Sequence, residues 1–210
     1  MSERRATVRD GYNRAAAAYL AARPITSPDI RALDQLLQRL PPGALVLDAG
    51  CGAGVPILAR LAERYRVVGV DFSTAQLRLA REHVPAAALA CQDLTHPGLA
   101  AGVFDAVVSY YAIIHIPREH HAAILAAVYR ALKPGGLAFL CLGAQDLADD
   151  YDDDFYGVRM YWSHYDAATN LRLLREVGFV VLWSDEISDS LGDEAATGRH
   201  LFVLVEKARK

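Results

Sequence analysis

Val46-Leu47-Asp48-Ala49-Gly50-Cys51-Gly52-Ala53-Gly54 is the stretch on which the reading of the fold turns. An aliphatic run ends in three glycines at alternate positions, and Pro56 follows where the first turn of a helix would begin. The pattern reads as a buried strand, a ligand-cradling turn and a helix. Glycines are needed in such a turn because a Cβ would keep a ligand off the backbone, and because the chain there often takes positive φ. Twenty-one positions after Gly50, the segment Val68-Gly69-Val70-Asp71 ends a second apolar run on an acid. That spacing suits a carboxylate accepting hydrogen bonds from a ribose diol.

Outward from this pair, short β-rich runs alternate with segments of helical period, the mark of a parallel sheet joined by crossover helices. Seven strands are predicted, near 44–49, 67–70, 87–91, 104–110, 137–142, 180–184 and 201–205. The clearest helices span 118–132, stopped by Lys133-Pro134-Gly135-Gly136, and 166–177, with Asp166 as N-cap and Gly178 placed for a left-handed residue. Ahead of the sheet, 8–22 and 29–40 read as a helical cap. Tyr12 and Tyr19 lie two turns apart and share a face with Val8, which suits either packing on the domain or covering a ligand. The expected organisation is one α/β domain over 1–210. Its parts are a cap (1–40), a cofactor-binding half (44–143), an acceptor-side loop (144–165) and a C-terminal helix and hairpin (166–210).

The 210 residues carry 22 basic and 25 acidic side chains, a net charge of −3, and 53% are apolar, which suits one domain with a full core. Without a basic footprint, nucleic acid is not the expected partner. No run reaches the ~20 apolar residues of a membrane helix, so no membrane association is expected. Arg4 and Arg5 ahead of four alanines loosely imitate a signal peptide, but Asp10, Asn13 and Arg14 interrupt it. Cys51, Cys91 and Cys141 contain no CxxC pair; they fit neither a disulfide framework nor a zinc site, and a reducing cytoplasm is the simplest setting.

The loop also discriminates between nucleoside cofactors. A dinucleotide fingerprint would carry its third glycine where Val55 stands, and the charge of Asp48 would repel a pyrophosphate laid on the helix N-terminus. An acid there suits the ammonium and sulfonium of an S-adenosylmethionine methionyl group, while the helix N-terminus suits its carboxylate. The structural alternative is an Asp48 satisfied by backbone amides.

Several separated motifs then agree. Asp48 to Gly54, Gly69-Val70-Asp71-Phe72-Ser73, Gln92-Asp93-Leu94, Phe104-Asp105-Ala106-Val107-Val108-Ser109, Leu132-Lys133-Pro134-Gly135-Gly136 and Gly178-Phe179 resemble, over nearly the whole chain, the class I S-adenosylmethionine-dependent methyltransferases. The resemblance implies a seven-stranded, mostly parallel, doubly wound sheet of order 3-2-1-4-5-7-6 with an antiparallel last strand. It implies S-adenosylmethionine as cofactor and S-adenosylhomocysteine as product. It places Asp71 on the ribose, Phe72 on the adenine, Asp93 on the adenine amine, and Ser109 and Tyr110 at the methionyl end. The full expected cofactor set is Tyr19, Asp48, Gly50, Cys51, Gly52, Asp71, Phe72, Gln76, Gln92, Asp93, Leu94, Ser109 and Tyr110.

Methyl transfer from a sulfonium to a small molecule or small peptide is an in-line displacement that needs alignment and dryness, and a base only where the acceptor must lose a proton. His115 is the candidate base, with a structural role as the alternative, and Tyr110 lies beside it in the catalytic set. Tyr12, Tyr111, His115, Tyr161, Trp162 and His164 are the expected acceptor pocket. The run Asp146 to Asp154, with six aspartates, reads as a solvated loop or a lure for a cationic acceptor. His120 and His121 read as solvent-facing, and no metal site is expected. A nicotinamide-dependent oxidoreductase and a non-catalytic nucleoside-binding protein remain as alternatives; the acceptor and the oligomeric state, a homodimer included, stay open.

Overall fold

The computed structural model describes residues 2–96, 98–188 and 198–209. The chain opens with helix α1 (Glu3–Ala22), whose Ser2 side chain caps the Arg5 amide, followed by two short helices, α2 (Pro28–Ala32) and α3 (Asp34–Leu37). The single helix expected over 29–40 is thus broken at Leu33. The next elements are β1 (Leu45–Ala49), α4 (Ile57–Ala62), β2 (Arg66–Asp71), α5 (Thr74–His83), β3 (Ala88–Cys91) and β4 (Phe104–Ser109). Helix α6 (His121–Ala131) leads into β5 (Leu132–Gly143), then β6 (Leu147–Phe155), β7 (Val158–His164), α7 (Ala167–Val177), β8 (Phe179–Ser188) and β9 (Arg199–Lys207).

Seven strands form one sheet in the order β3-β2-β1-β4-β5-β9-β8. Strands β1 to β5 run parallel, and β9 lies antiparallel between β5 and β8. With the separate pair β6 and β7 set aside, this is the expected order. Strands β1, β4 and β5 are buried on both faces, which is why they read as nearly continuous apolar runs. One face packs Leu33, Leu36, Leu58 and Leu61 against Val46, Val108 and Phe139; the other packs Leu125, Val128 and Leu174 against Leu47, Val107 and Leu140. Each fully buried leucine contributes about 1.5–3 kcal/mol. This core holds the carboxyl ends of β1, β2 and β4 in register, the edge at which such sheets bind ligands.

The stretch expected as an acceptor-side loop, 144–165, is instead mostly an antiparallel hairpin of β6 and β7. Aspartate is disfavoured in strands, so the run Asp149 to Asp154 hides the first strand from a reading of propensity. That strand is solvated along nearly its whole length and is held by its partner, in which Val158 and Met160 point inward and Arg159 outward. The turn uses positive φ at Tyr156 and Gly157. Val158 and Met160 form a small third core with Val8 and Ala15 of α1, so cap helix and hairpin are joined to each other.

Candidate active site

The glycine-rich turn leaves β1 at the middle of the sheet. The amides of Gly50 and Cys51 both donate to the Val70 carbonyl, at 2.8 and 3.0 Å, which ties the turn to β2. Gly50 has φ +87°, and a Cβ there would collide with the Ala112 methyl group. Gly52 has φ +52°, and a Cβ there would meet only Gln76 Oε1, at 3.8 Å. The two glycines therefore do different work: Gly50 lets the loop after β4 approach, and Gly52 leaves room for a ligand.

Two carboxylates lie beneath the turn. Asp71 accepts from the Gly52 amide at 2.9 Å and the Ser73 amide at 2.8 Å. Burial pushes its carboxyl up to about 6, against the pull of those bonds. Asp48 is 1% exposed, and neither of its carboxyl oxygens has a hydrogen-bond partner among the described residues. Burial, and next the charge of Asp71, push it up to about 8. Asp48 is thus not satisfied by backbone amides. The Gln76 amide is likewise buried with neither end partnered among the described residues, and it lines the same cleft. An ammonium group against Asp48 and a diol against Asp71 would answer these deficits, so the residues present fit S-adenosylmethionine.

The cleft runs from this turn over β2 and β4. Phe72, Gln92, Asp93 and Leu94 wall one end; Tyr110, Tyr111 and His115 wall the other; Tyr12 and Tyr19 cover it from α1. Cys51 and Asp48 border an adjoining cavity shared with Gly50, Gly52, Tyr19, Tyr110 and Tyr111. Burial, with the charges of Asp48 and Asp71 behind it, holds the Cys51 thiol far above its ordinary value, so it is inert packing.

Four residues in the walls lie outside the expectation from sequence: Arg5 and Val8 of α1, and Ala112 and Ile116 after β4. Arg5 is ion-paired with Asp93, whose other oxygen accepts from Thr95 N at 2.9 Å and Thr95 Oγ at 2.8 Å. Arg23, also outside that expectation, lines the adjoining cavity and pairs with buried Asp29 at 3.1 Å. No local motif announces the Arg5–Asp93 pair, because it forms only when the cap is folded over the sheet.

Tyr110 and Tyr111 both turn their hydroxyls to Asp29, donating to its carbonyl at 3.0 Å and its carboxylate at 3.1 Å. Burial raises the Tyr110 phenol well above its ordinary value, so it is a neutral donor and not a base. His115 Nδ1 faces the Tyr161 carbonyl at 2.7 Å, and its Nε2 faces the Tyr12 hydroxyl at 2.8 Å. A carbonyl can only accept, so the proton sits on Nδ1 and Nε2 is left as the acceptor.

Other expectations are corrected. Ser109 does not line the cleft: it is fully buried, and its hydroxyl donates to the Ala49 carbonyl at 2.7 Å, stitching β4 to β1. Tyr161, Trp162 and His164 do not line it either. Tyr161 holds His115 by its carbonyl, Trp162 packs beside His115 with ring centroids 5.4 Å apart, and His164 Nδ1 bonds the Gln145 carbonyl at 2.8 Å. His121 is buried, not solvent-facing, with Nε2 on the Ile116 carbonyl at 2.9 Å.

Burial pushes His115, His121 and His200 each down to about 4. Between pH 6.5 and 4 the unfolded chain takes up protons that these imidazoles refuse in the folded state, so their contribution is complete above about 6.5 and drains on acidification. Asp48 and Asp71 act oppositely, holding a proton up to about 8 and 6 that the unfolded chain has lost. Three histidines against two acids leave the ligand-free chain most stable near pH 6.5. Thermal melts from pH 4.5 to 8 are expected to fall on both sides of that value; a monotonic rise to pH 8 would contradict the burial of an unpartnered Asp48.

Comparison with known proteins agrees with this geometry. Residues 46–136 match the model of a methyltransferase domain family. The chain is 34% identical over 103 residues to a ubiquinone biosynthesis O-methyltransferase of Pseudomonas paraeruginosa, 47% of this chain and 44% of that protein. It is 32% identical over 168 residues to a trans-aconitate 2-methyltransferase of Paracidovorax citrulli, 76% of this chain and 55% of that protein. The chain thus spans about half the length of these curated relatives. Among solved structures, the 1,6-didemethyltoxoflavin-N1-methyltransferase of Burkholderia thailandensis, with 1,6-didemethyltoxoflavin and S-adenosylhomocysteine bound, shares the fold at a TM-score of 0.72 and 18% identity, over 98% of this chain and 89% of that one. The glycine-rich turn and both acids lie within the residues that match this methyltransferase domain family, and the sheet has the 3-2-1-4-5-7-6 order that the resemblance to class I S-adenosylmethionine-dependent methyltransferases implies.

Proposed function

We propose that the protein transfers a methyl group from S-adenosylmethionine to a small-molecule acceptor. The observation that carries this reading is the unpartnered Asp48 carboxyl beneath the glycine-rich turn. A dinucleotide would bring anionic phosphates to that place, whereas a methionyl ammonium brings the charge it lacks. Asp71, at the end of β2, would hold the ribose, and Gln76 and Gln92 supply further polar groups to the same wall. When bound, the cofactor supplies an already activated methyl group on a positively charged sulfur.

The chain's own contribution is placement and exclusion of water. Tyr12 and Tyr19 on α1 line the cleft from the cap, and Ala112 and Ile116 add apolar wall from the segment after β4. His115 presents a neutral Nε2 to the same space, the group able to take a proton from an acceptor hydroxyl. Among the described residues, no helix is long and apolar enough to cross a membrane.

Asp71→Ala is expected to weaken S-adenosylhomocysteine binding by about 1–3 kcal/mol through lost sugar hydrogen bonds. Isothermal calorimetry against S-adenosylhomocysteine and, separately, NAD measures this. An unchanged dissociation constant, or tighter binding of NAD, would refute the site. Release of S-adenosylhomocysteine during incubation with a metabolite mixture separates turnover from binding alone.

A further inference from the structure

The cleft near His115 already holds a phenol, that of the cap. The Tyr12 hydroxyl donates to His115 Nε2 at 2.8 Å. Its ring stands edge-on to three others, with centroids 5.5 Å from Tyr19, 5.3 Å from His115 and 6.2 Å from Phe155. Edge-to-face contacts at these separations are favourable for any aromatic ring, whatever chain or molecule it belongs to. The slot therefore has the shape and polarity of a hydroxyarene: ring edges around it, and one hydrogen-bond acceptor at the end where the hydroxyl arrives.

The charges support the same occupant. Apart from His115, the charged or ionisable acid and base side chains lining the cleft are Arg5, Asp71 and Asp93. Arg5 and Asp93 neutralise each other, and Asp71 stands at the end of β2 under the glycine-rich turn. Arg4, whose charge reaches His115, and Arg23, in the adjoining cavity, are held by Asp149 and Asp29, so among the described residues a carboxylate or phosphate on the acceptor would find no unpaired cation beside His115, and an ammonium no unpaired acid. Burying either without a partner is costly. An uncharged ring with one hydroxyl brings no charge to compensate, and its hydroxyl takes the place on Nε2 that Tyr12 gives up.

Resting on the methyltransferase reading above, we propose that the acceptor is an uncharged aromatic molecule bearing a ring hydroxyl, which displaces the Tyr12 hydroxyl from His115 Nε2. The displacement has a cause within the site. Arg5, two turns N-terminal to Tyr12 on the same helix face, is held by the Asp93 carboxylate, so a ligand that claims Asp93 releases a tether of the helix that carries Tyr12. In the transfer, the acceptor oxygen forms a bond to the methyl carbon as the carbon–sulfur bond breaks and its electron pair stays on sulfur. The hydroxyl proton passes to Nε2 and from there to solvent, leaving a methyl aryl ether.

The test uses the whole chain loaded with S-adenosylhomocysteine, titrated by calorimetry with 2-naphthol, naphthalene, 2-naphthoate and 2-naphthylmethylamine. 2-Naphthol is expected to bind at least tenfold more tightly than the other three. Tyr12→Phe, which removes the competing hydroxyl but keeps the ring, is expected to tighten 2-naphthol at least threefold and leave naphthalene unchanged. With labelled S-adenosylmethionine, 2-methoxynaphthalene should form, and His115→Ala should slow it at least tenfold. Normal S-adenosylhomocysteine binding with no preference for 2-naphthol, or a Tyr12→Phe chain that binds it no better, would overturn the acceptor class alone. Failure to bind S-adenosylhomocysteine would overturn the methyltransferase reading and this inference with it.

Discussion

Asp48→Asn is expected to raise the melting temperature of the ligand-free chain and to weaken S-adenosylmethionine binding at least tenfold. The two effects have one origin. In the free protein the carboxyl is 1% exposed and without a partner among the described residues, and burial together with Asp71 forces it to keep its proton up to about 8. Near neutrality the fold thus withholds an ionisation that the unfolded chain enjoys, a cost of several kcal/mol by linkage. An amide of the same shape removes most of that cost but stays unpartnered itself, so a net gain of about 1–3 kcal/mol is expected, or about 3–10 °C for a chain of this size. The ligand loses the uncompensated carboxyl beneath the turn, and with it the attraction for an ammonium. Proton release on binding, read by calorimetry in buffers of different ionisation enthalpy, should also vanish. A variant that melts lower and binds equally well would show that Asp48 is a structural acid.

The second large effect is expected of Gly50→Ala. The residue has φ +87°, and a Cβ there would overlap the Ala112 methyl group. The left-handed backbone costs an alanine about 1–2 kcal/mol, and displacing the loop after β4 adds about 1–3 more. A total near 2–5 kcal/mol should appear as a lowered urea midpoint, with cofactor affinity lost because the loop carries Tyr110, Tyr111 and His115. Gly43 provides the control, since it has φ +75° but nothing within 4 Å of the place a Cβ would take. Gly43→Ala should lose only the backbone part. Equal losses in the two variants would remove the Ala112 collision as the cause.

What is legible in the sequence follows from range. The glycine-rich turn and the acid after β2 are local signals, and the sheet order follows once strands and crossovers alternate. Helix α7 is readable to the residue because its ends are chemical: Asp166 Oδ1 accepts from the Thr169 amide at 2.7 Å, and Gly178 takes φ +109°. The hairpin is not readable. Its first strand violates strand propensity and survives by its ladder to β7, while its turn residues Tyr156 and Gly157 lack the Asn-Gly signature. The partners of Asp93 and Asp29 are hidden for a different reason. Arg5 is 88 positions from Asp93 in the chain, and Arg23 reaches Asp29 across the bend between α1 and α2. The place of Ser109 at the end of β4 suggests the cleft, but its side chain turns to the interior of the sheet, where its hydroxyl donates to the Ala49 carbonyl.

The small core of Val8, Ala15, Val158 and Met160 gives the molecule a mechanical property beyond packing. Because the cap helix and the hairpin share those side chains, they move as one shutter across the mouth of the cleft rather than as two independent flaps. The hairpin thereby reaches the cleft without lining it, since any displacement of its strands is passed through Val158 and Met160 to the helix that carries Tyr12 and Tyr19.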